Sequence, residues 1–210
     1  MKGTAAMIRL FALLAALCLP GLAQAQPVEL RLDRSHMHVG FTVGHIGFSL
    51  THGRFNDVSG NFVFDNDNVA ASKVSITIQT RSIDTNHQGR DNHLRNADFF
   101  DVEKHPTMTF VSTSIEKTGE NTGRVTGNLT MLDVTKPVTL DVRFMRMAEH
   151  PLPAYKKVLT AGFSVRGQIK RSEFGMTKFA PAIPDVIDLM IDVEGVRCVG
   201  AAVEAPSCKS

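Results

Sequence analysis

The stretch RSIDTNHQGRDNHLRNADFFDVEKHPTMTF, residues 81–110, decides how the rest of the chain folds. Alternating apolar and polar residues, the pattern of β-strands, stop where it begins and resume where it ends. Inside it, Asp91 and Arg95 are four residues apart, which is the spacing of an ion pair on a helix surface. The adjacent rings of Phe99 and Phe100 follow. The sequence therefore predicts one short helix, too small to form a layer of its own, that lies against a β-sheet or closes an opening in it.

The segments on both sides of this helix read as β-strands. In residues 73–80, Val74, Ile76 and Ile78 fall on one face and polar residues on the other, as a period of two requires. Other apolar positions in the strand-like segments include Phe41, Val43, Phe48, Leu50, Phe62, Phe110, Leu129, Phe144, Phe163, Val165 and Leu189. About eight amphipathic strands with no long helix between them predict an all-β domain, either an antiparallel sandwich or a barrel.

A closed barrel is the better prediction of the two. Long amphipathic strands expose long edges in an open sheet, whereas closure removes the edges and gives the apolar faces a shared interior. The predicted fold is therefore a roughly eight-stranded antiparallel barrel with a short helix between strands.

The N-terminus has the composition of a secretory signal peptide. Lys2 and Arg9 precede an apolar run, and the small residues of Ala23-Gln24-Ala25 are typical of a cleavage site. The run is shorter than the roughly 20 residues needed to cross a bilayer. We therefore expect residues 1–25 to be removed and residues 26–210 to form one periplasmic domain without stable membrane insertion.

Removal of that segment also changes the charge of the protein. The full chain has 23 basic and 21 acidic residues, and the segment takes two basic residues and no acidic residue with it. The near-neutral mature chain argues against nucleic acid as a partner.

Cys198 and Cys208 are the two cysteines outside the signal segment. Two cysteines ten residues apart in an oxidising compartment are expected to form one disulfide. Closing a loop of this length contributes roughly 2.5–3 kcal/mol through chain entropy, so the bond tethers the C-terminal tail rather than creating the fold.

Five segments carry a resemblance to a known family, in the same order along nearly the whole mature chain. They are HVGFTVGHIGFSLTHGRF (38–55), SKVSITIQTRSIDT (72–85), RDNHLRNADFFDVEKHPTMTFVST (90–113), GNLTMLDVTKPVTLDV (127–142) and GFSVRGQIKRSEFGM (162–176). The third is the most specific. On these motifs the sequence resembles the YceI-like family of exported polyisoprenoid-binding proteins.

The resemblance implies a lipocalin-like barrel whose long apolar lumen holds a quinone, a polyprenyl chain or a similar long-chain amphiphile. It also implies a periplasmic location, homodimers in some members, and no assigned catalytic residues or cofactor. Leu94, Phe99 and Phe100 are expected to turn inward and cap one end of the barrel. The full set of predicted ligand-binding residues is Phe41, Val43, Phe62, Val74, Ile76, Ile78, Leu94, Phe99, Phe100, Phe110, Leu129, Phe144, Phe163, Val165 and Leu189.

Two other functions fit the same sequence. The lumen of a small barrel can fill with its own side chains, leaving function to surface contacts in a stress or redox accessory protein, for example with a membrane cytochrome. Alternatively, His36 and His38 lie two apart on one strand and can hold zinc or copper if further ligands join them. The alternation places both histidines opposite the apolar face, which is typical of solvated surface residues.

Enzymatic activity is not predicted. The candidate acid–base residues of the central stretch are His87, Arg90, Asp91, His93 and Arg95. Their spacing matches no hydrolase signature and supplies no nucleophile with an oriented base. We expect them to pair within the helix or to contact a ligand headgroup near the barrel mouth, and we expect the same of Arg171.

Overall fold

The alternating segments form β-strands in the computed structural model, which describes residues 26–209. The strands are β1 (Val28–His45), β2 (Ser49–Phe55), β3 (Val58–Phe64), β4 (Lys73–Gln79), β5 (Ile83–Asp84), β6 (Thr107–Lys117), β7 (Thr122–Met131), β8 (Val134–Glu149), β9 (Leu159–Lys170) and β10 (Val186–Val196). The α-helices are α1 (Gln88–Leu94) and α2 (Pro206–Lys209). The predicted signal peptide, residues 1–25, lies outside the described residues.

The strands close into a single antiparallel wall. Their order is β10-β9-β8-β7-β6-β4-β3-β1, and β1 pairs back to β10. The first part of β1 pairs with β3 and the second part with β2, so β2 and β3 form one bent wall strand. In the same way β5 continues β4. The wall is therefore a closed barrel of eight strands, which confirms the predicted fold class.

Strand β4 shows how the sequence specifies the wall. Its β-branched residues Val74, Ile76 and Ile78 face the interior, whereas Lys73 and Ser75 are exposed. Alternate side chains of a strand point to opposite faces, so one apolar stripe is enough to fix which face is turned inward.

The barrel has two distinct ends because neighbouring strands run in opposite directions. The helix end carries the β1–β2 hairpin, α1 with residues 95–106, and residues 171–185 between β9 and β10. The tail end carries the β3–β4 and β6–β7 connections, the β8–β9 loop and the C-terminal residues 197–209.

Helix α1 is held to the wall by its charged side chains, but not as predicted. The buried carboxylate of Asp91 accepts a hydrogen bond from the Thr85 backbone N–H at 2.8 Å. Arg95 donates to the carbonyl oxygens of Arg81 at 2.9 Å and Ile83 at 2.7 Å. The predicted Asp91–Arg95 ion pair is therefore wrong, because both side chains turn to the backbone of residues 81–85 instead of lying along the helix surface. The helix also ends at Leu94, so the two phenylalanine rings belong to the turns that follow it.

The C-terminal tail is tethered by the predicted disulfide between Cys198 and Cys208, whose Cα atoms are 5.7 Å apart. Cys208 packs with the fully buried side chains of Val158 and Ala205, which forms a small apolar cluster outside the barrel interior. The tail therefore adds a separate cluster at the tail end, as expected of a tether.

Candidate functional site

The interior of the barrel contains an elongated cavity of about 510 Å³. This volume lies within the range of roughly 300–1,000 Å³ that is typical of small-molecule sites. Each of the fifteen residues predicted to bind ligand lines it: Phe41, Val43, Phe62, Val74, Ile76, Ile78, Leu94, Phe99, Phe100, Phe110, Leu129, Phe144, Phe163, Val165 and Leu189. The barrel therefore does not fill completely with its own side chains, although contact of these residues with a ligand stays a prediction.

Polar and apolar residues are separated along the length of this cavity. The middle of the wall is lined by aliphatic and aromatic side chains such as Ile76, Leu129 and Ile191. Polar side chains line the cavity only near its ends: His45, Thr51, Thr85, Arg90, His93 and Arg171 at the helix end, and Asn66, Ser72, Lys117, Glu120, Asn121, Thr122 and Arg124 at the tail end. Such a cavity matches a long apolar molecule that carries a polar group at one end.

Phenylalanine rings form much of the lining towards the tail end. Phe64 stacks on Phe144 with ring centroids 5.2 Å apart, and Phe163 meets Phe62 edge-on at 5.4 Å. The protein has 13 phenylalanines, one tyrosine and no tryptophan, so these rings bring no hydrogen-bonding groups into the lumen. Paired rings of this kind gain about 0.5–1.5 kcal/mol beyond the burial of their area.

The helix end is covered, as predicted, by residues 94–100, from the last residue of α1 to the second phenylalanine; we call them the first covering segment. The rings of Phe99 and Phe100 are buried and line the cavity together with Leu94. Phe100 meets Phe55 of β2 edge-on, with centroids 5.6 Å apart. The cap is therefore joined to the barrel wall by ring packing.

A second covering segment, residues 175–184, was not predicted. Phe179 and Ile183 line the cavity from this segment, and Phe179 stacks on Phe99 with centroids 5.9 Å apart. The segment has no strand or helix periodicity, so the pattern of its sequence gives no direction for either side chain. Its two prolines indicate only a stiff loop.

Arg171 fixes the second covering segment. The residue is 3 % exposed, and its guanidinium donates to four carbonyl oxygens. The acceptors are Met176 (2.7 Å), Lys178 (2.9 Å), Ile183 (2.9 Å) and Pro184 (3.0 Å). Because both ends of the segment bind one planar group, the segment is held across the barrel opening.

The two covering segments also meet through charged groups. His93 of α1 lies 3.1 Å from the carboxylate of Asp98, and the Lys178 ammonium lies 3.4 Å from the same group. The hydrogen bond from His93, assisted by Lys178, lowers the pKa of Asp98 below its ordinary value. The ionised carboxylate thus links α1 to residues 175–184 above the cavity.

The candidate acid–base residues do not form one constellation. Arg90 and His93 line the cavity, whereas His87, Asp91 and Arg95 line a separate shallow polar depression on the outside of the barrel. Arg90 is itself held by Thr85, to whose hydroxyl oxygen its Nε donates at 2.7 Å. Two of the residues are therefore placed where the sequence expects contact with a ligand headgroup.

His36 is placed with carboxylates. Its Nδ1 lies 2.9 Å from the buried carboxylate of Asp33, and Glu194 brings a third ligand-type atom, all within 4.8 Å of one another. His38 is not part of this group. The pair of histidines proposed as a metal site is thus divided, and His36 instead belongs to a cluster at the bulge in β1.

No helix among residues 26–209 is both long and apolar enough to span a bilayer.

Comparison with known proteins agrees with the fold and the motifs. The model of the YceI-like domain family matches residues 30–195. A UPF0312 protein of Pectobacterium atrosepticum is 43% identical over 191 residues, which cover 90% of this chain and 96% of the relative.

Solved structures show the same barrel. The crystal structure of a Campylobacter jejuni YceI protein is 35% identical, with a TM-score of 0.65 over 73% of this chain and 88% of that one. A polyisoprenoid-binding domain from Saccharophagus degradans, implicated in plant cell wall breakdown, is 12% identical with a TM-score of 0.60. That match covers 82% of this chain and 99% of the domain, and at this identity it shows the fold alone.

Proposed function

This chain belongs to the YceI-like family, and from that membership and the cavity we propose that it is a non-enzymatic periplasmic carrier or sequestering protein for a polyisoprenoid lipid. The ligand is a quinone, a polyprenyl chain or a similar long-chain amphiphile. It lies along the barrel axis, with its apolar chain in the middle of the cavity and its polar group at one end.

The observation that carries the proposal is the apolar middle of the cavity between two polar ends. Transfer of an isoprenoid chain from water into such a cavity gains about 0.8 kcal/mol per buried CH₂-sized group. Transfer from a bilayer gains little by the same effect, because lipid is already apolar. The shape of the lumen and the polar residues at its ends must therefore select the ligand.

Two further observations support the class of ligand and the compartment. A solved protein with this fold is described as a polyisoprenoid-binding domain. The signal-like sequence of residues 1–25 and the Cys198–Cys208 disulfide both fit an exported protein in an oxidising compartment.

Native mass spectrometry and organic extraction of the protein, purified from the periplasm of its own cells, test this function. We expect a stoichiometric long-chain isoprenoid or similar amphiphile. In the double variant Leu129→Phe and Val142→Phe, which adds two rings to the lumen, we expect the bound lipid to fall at least about tenfold. Val111→Phe is the matched control, because Val111 is 48% exposed and outside the cavity.

Two results would count against the proposal. A protein that is lipid-free directly after isolation, with a collapsed interior, would remove the carrier function. Copurification of a protein partner without any lipid would instead favour a surface-acting accessory protein.

A further inference from the structure

The tip of the β1–β2 hairpin, residues 45–50, exposes three large apolar side chains. Ile46 is 54%, Phe48 87% and Leu50 62% exposed. Phe48 is the most exposed large apolar residue in the described part of the chain. We call residues 45–50 the hairpin tip.

The backbone of the hairpin tip is strained at Ile46, which has a positive φ angle. The Phe48 backbone N–H donates to the His45 carbonyl oxygen at 2.9 Å, which closes a β-turn with Ile46 and Gly47 at its centre, within the three-residue loop between His45 and Ser49. Ile46 and Gly47 have φ angles of 52° and 78°, so both are left-handed, as in a type I′ turn. Asn-Gly is the preferred pair for such a turn, and a β-branched residue is disfavoured at positive φ. The turn thus keeps an exposed isoleucine where a polar residue fits the backbone better.

The inner face of the same hairpin is part of the cavity wall. Val43 and Thr51, which pair across β1 and β2, line the cavity close to the hairpin tip, and so does His45. Leu50 and Phe48 project to the opposite, outer side. The hairpin therefore joins the candidate ligand site to an exposed apolar projection at the helix end.

The size and charge of the projection indicate what covers it. Three side chains of this kind bury at most roughly 500 Å². A stable protein interface needs about 800 Å² on each partner, with complementary shape. A bilayer requires no shape complementarity. The hairpin tip contains no aspartate or glutamate, so no acidic side chain within it opposes an anionic lipid surface.

We propose that the hairpin tip inserts into the surface of a lipid bilayer and places the helix end of the barrel against the membrane from which the ligand enters. The purpose of this docking rests on the proposed carrier function. The test of docking does not rest on the carrier function, because vesicle binding is measured without reference to the content of the cavity.

A fluorescent reporter at the hairpin tip tests the insertion directly, since the chain has no tryptophan. The mature Phe48→Trp variant is mixed with vesicles of phosphatidylcholine and phosphatidylglycerol. We expect a blue shift of the indole emission and quenching by brominated lipid chains. Met145→Trp is the matched control, because Met145 is 58% exposed on β8 towards the tail end and outside the cavity. Its emission should not change.

Two substitutions test the energetics by vesicle flotation. We expect Phe48→Ser to lower the partition coefficient about tenfold or more, as loss of one buried aromatic ring requires. Ile46→Asn should also weaken binding while leaving the melting temperature unchanged or raising it, because asparagine suits the left-handed turn. This opposite response of binding and stability separates docking from a merely structural role of Ile46.

An unshifted indole at position 48, or equal flotation of Phe48→Ser and the unaltered protein, overturns the inference. Self-association in analytical ultracentrifugation that Phe48→Ser abolishes, without vesicle binding, would assign the hairpin tip to a second copy of the chain instead. Neither result bears on the proposed carrier function, which is decided by the lipid found in the purified protein.

Discussion

Gly53 helps to keep the lumen open, because the absence of a side chain there lets the end of an aromatic ring pack closely against the wall. It is the cross-strand partner of Phe41, and a Cβ atom added at Gly53 would overlap that ring. A ring packed over a glycine covers the backbone of the neighbouring strand and takes less of the lumen. The missing side chain at Gly53 therefore affects the space available to a ligand; this glycine does not serve a turn of the backbone.

We expect Gly53→Ala to push the Phe41 ring into the cavity and to lower lipid occupancy. Overpacking of this kind costs about 1–3 kcal/mol of stability. Occupancy is measured by native mass spectrometry, and the double variant Gly53→Ala, Phe41→Leu should recover it. Gly162→Ala is the control, because its new Cβ would meet Met145 at an ordinary 3.6 Å. Full occupancy in Gly53→Ala would contradict this account of the wall.

The Asp33–His36 pair predicts a pH dependence of stability. Burial opposes ionisation of Asp33, but hydrogen bonds from His36 and Ser35 outweigh it and lower the pKa below the ordinary 3.8. The hydrogen bond to Asp33 is the main reason that the pKa of His36 is raised above 6.5. Protonated His36 stabilises the folded protein. This stabilisation is fully present below the pKa that His36 has in the unfolded chain, and it is lost as the pH rises through the higher pKa that His36 has in the folded protein. The stabilisation by ionised Asp33 is lost as the pH falls through the lowered pKa that Asp33 has in the folded protein.

The melting temperature should therefore fall between about pH 6 and pH 8 more in the unaltered protein than in His36→Gln. The His36 side chain is 42% exposed, so solvent screens the pair. Its contribution is expected to stay below about 1 kcal/mol, which corresponds to at most about 4 °C. Parallel pH profiles of the two proteins would show that the pair adds nothing to stability.

At the scale of the elements, the two covering segments control access to the cavity from the helix end. Phe179 joins the two segments and is partly open to solvent: it is 44% exposed, stacks on Phe99 and lies 5.6 Å from the His93 ring. We expect Phe179→Ala to speed dissociation of a bound lipid about tenfold while the melting temperature changes little. Stopped-flow transfer of a fluorescent isoprenoid to vesicles measures the rate.

Val186→Ala is the matched control for Phe179→Ala. Val186 is 39% exposed at the same end of the barrel but does not line the cavity. Equal dissociation rates in the two variants would show that ligand leaves by another route, such as the tail end.

The sequence predicts the strands well because a period of two is a local property. Val74, Ile76 and Ile78 could be assigned to the lumen from their spacing alone. The same spacing does not distinguish an interior from an exposed projection. Phe48 and Leu50 are as apolar as Phe55, yet only Phe55 is buried, because Leu50 falls on the outer face of β2 and Phe48 lies in the turn before that strand.

Tertiary contacts account for what the sequence did not predict. Asp91 and Arg95 have helix-pair spacing, but the nearby backbone of residues 81–85 offers both side chains better partners. Phe179 reaches the cavity only because the carbonyl groups around it converge on Arg171, a contact across several residues of irregular chain. Such contacts depend on the closed barrel and cannot be read from local periodicity.

At the scale of the whole molecule, an elongated apolar cavity inside a closed wall makes stability depend on its content. A ligand that binds only the folded barrel adds a free energy that grows with its concentration relative to Kd, about 2.7 kcal/mol at a hundredfold excess. For a domain of this size, each kcal/mol corresponds to roughly 2–4 °C. Removing the lipid by organic extraction and refolding should therefore lower the melting temperature by about 5–10 °C. Adding a polyprenyl lipid should restore it in the unaltered protein, but not in the lumen-filling variant Leu129→Phe, Val142→Phe. If the lipid-free and lipid-loaded proteins melt together, the cavity is not the binding site, because a ligand held there exclusively by the folded state must stabilise it.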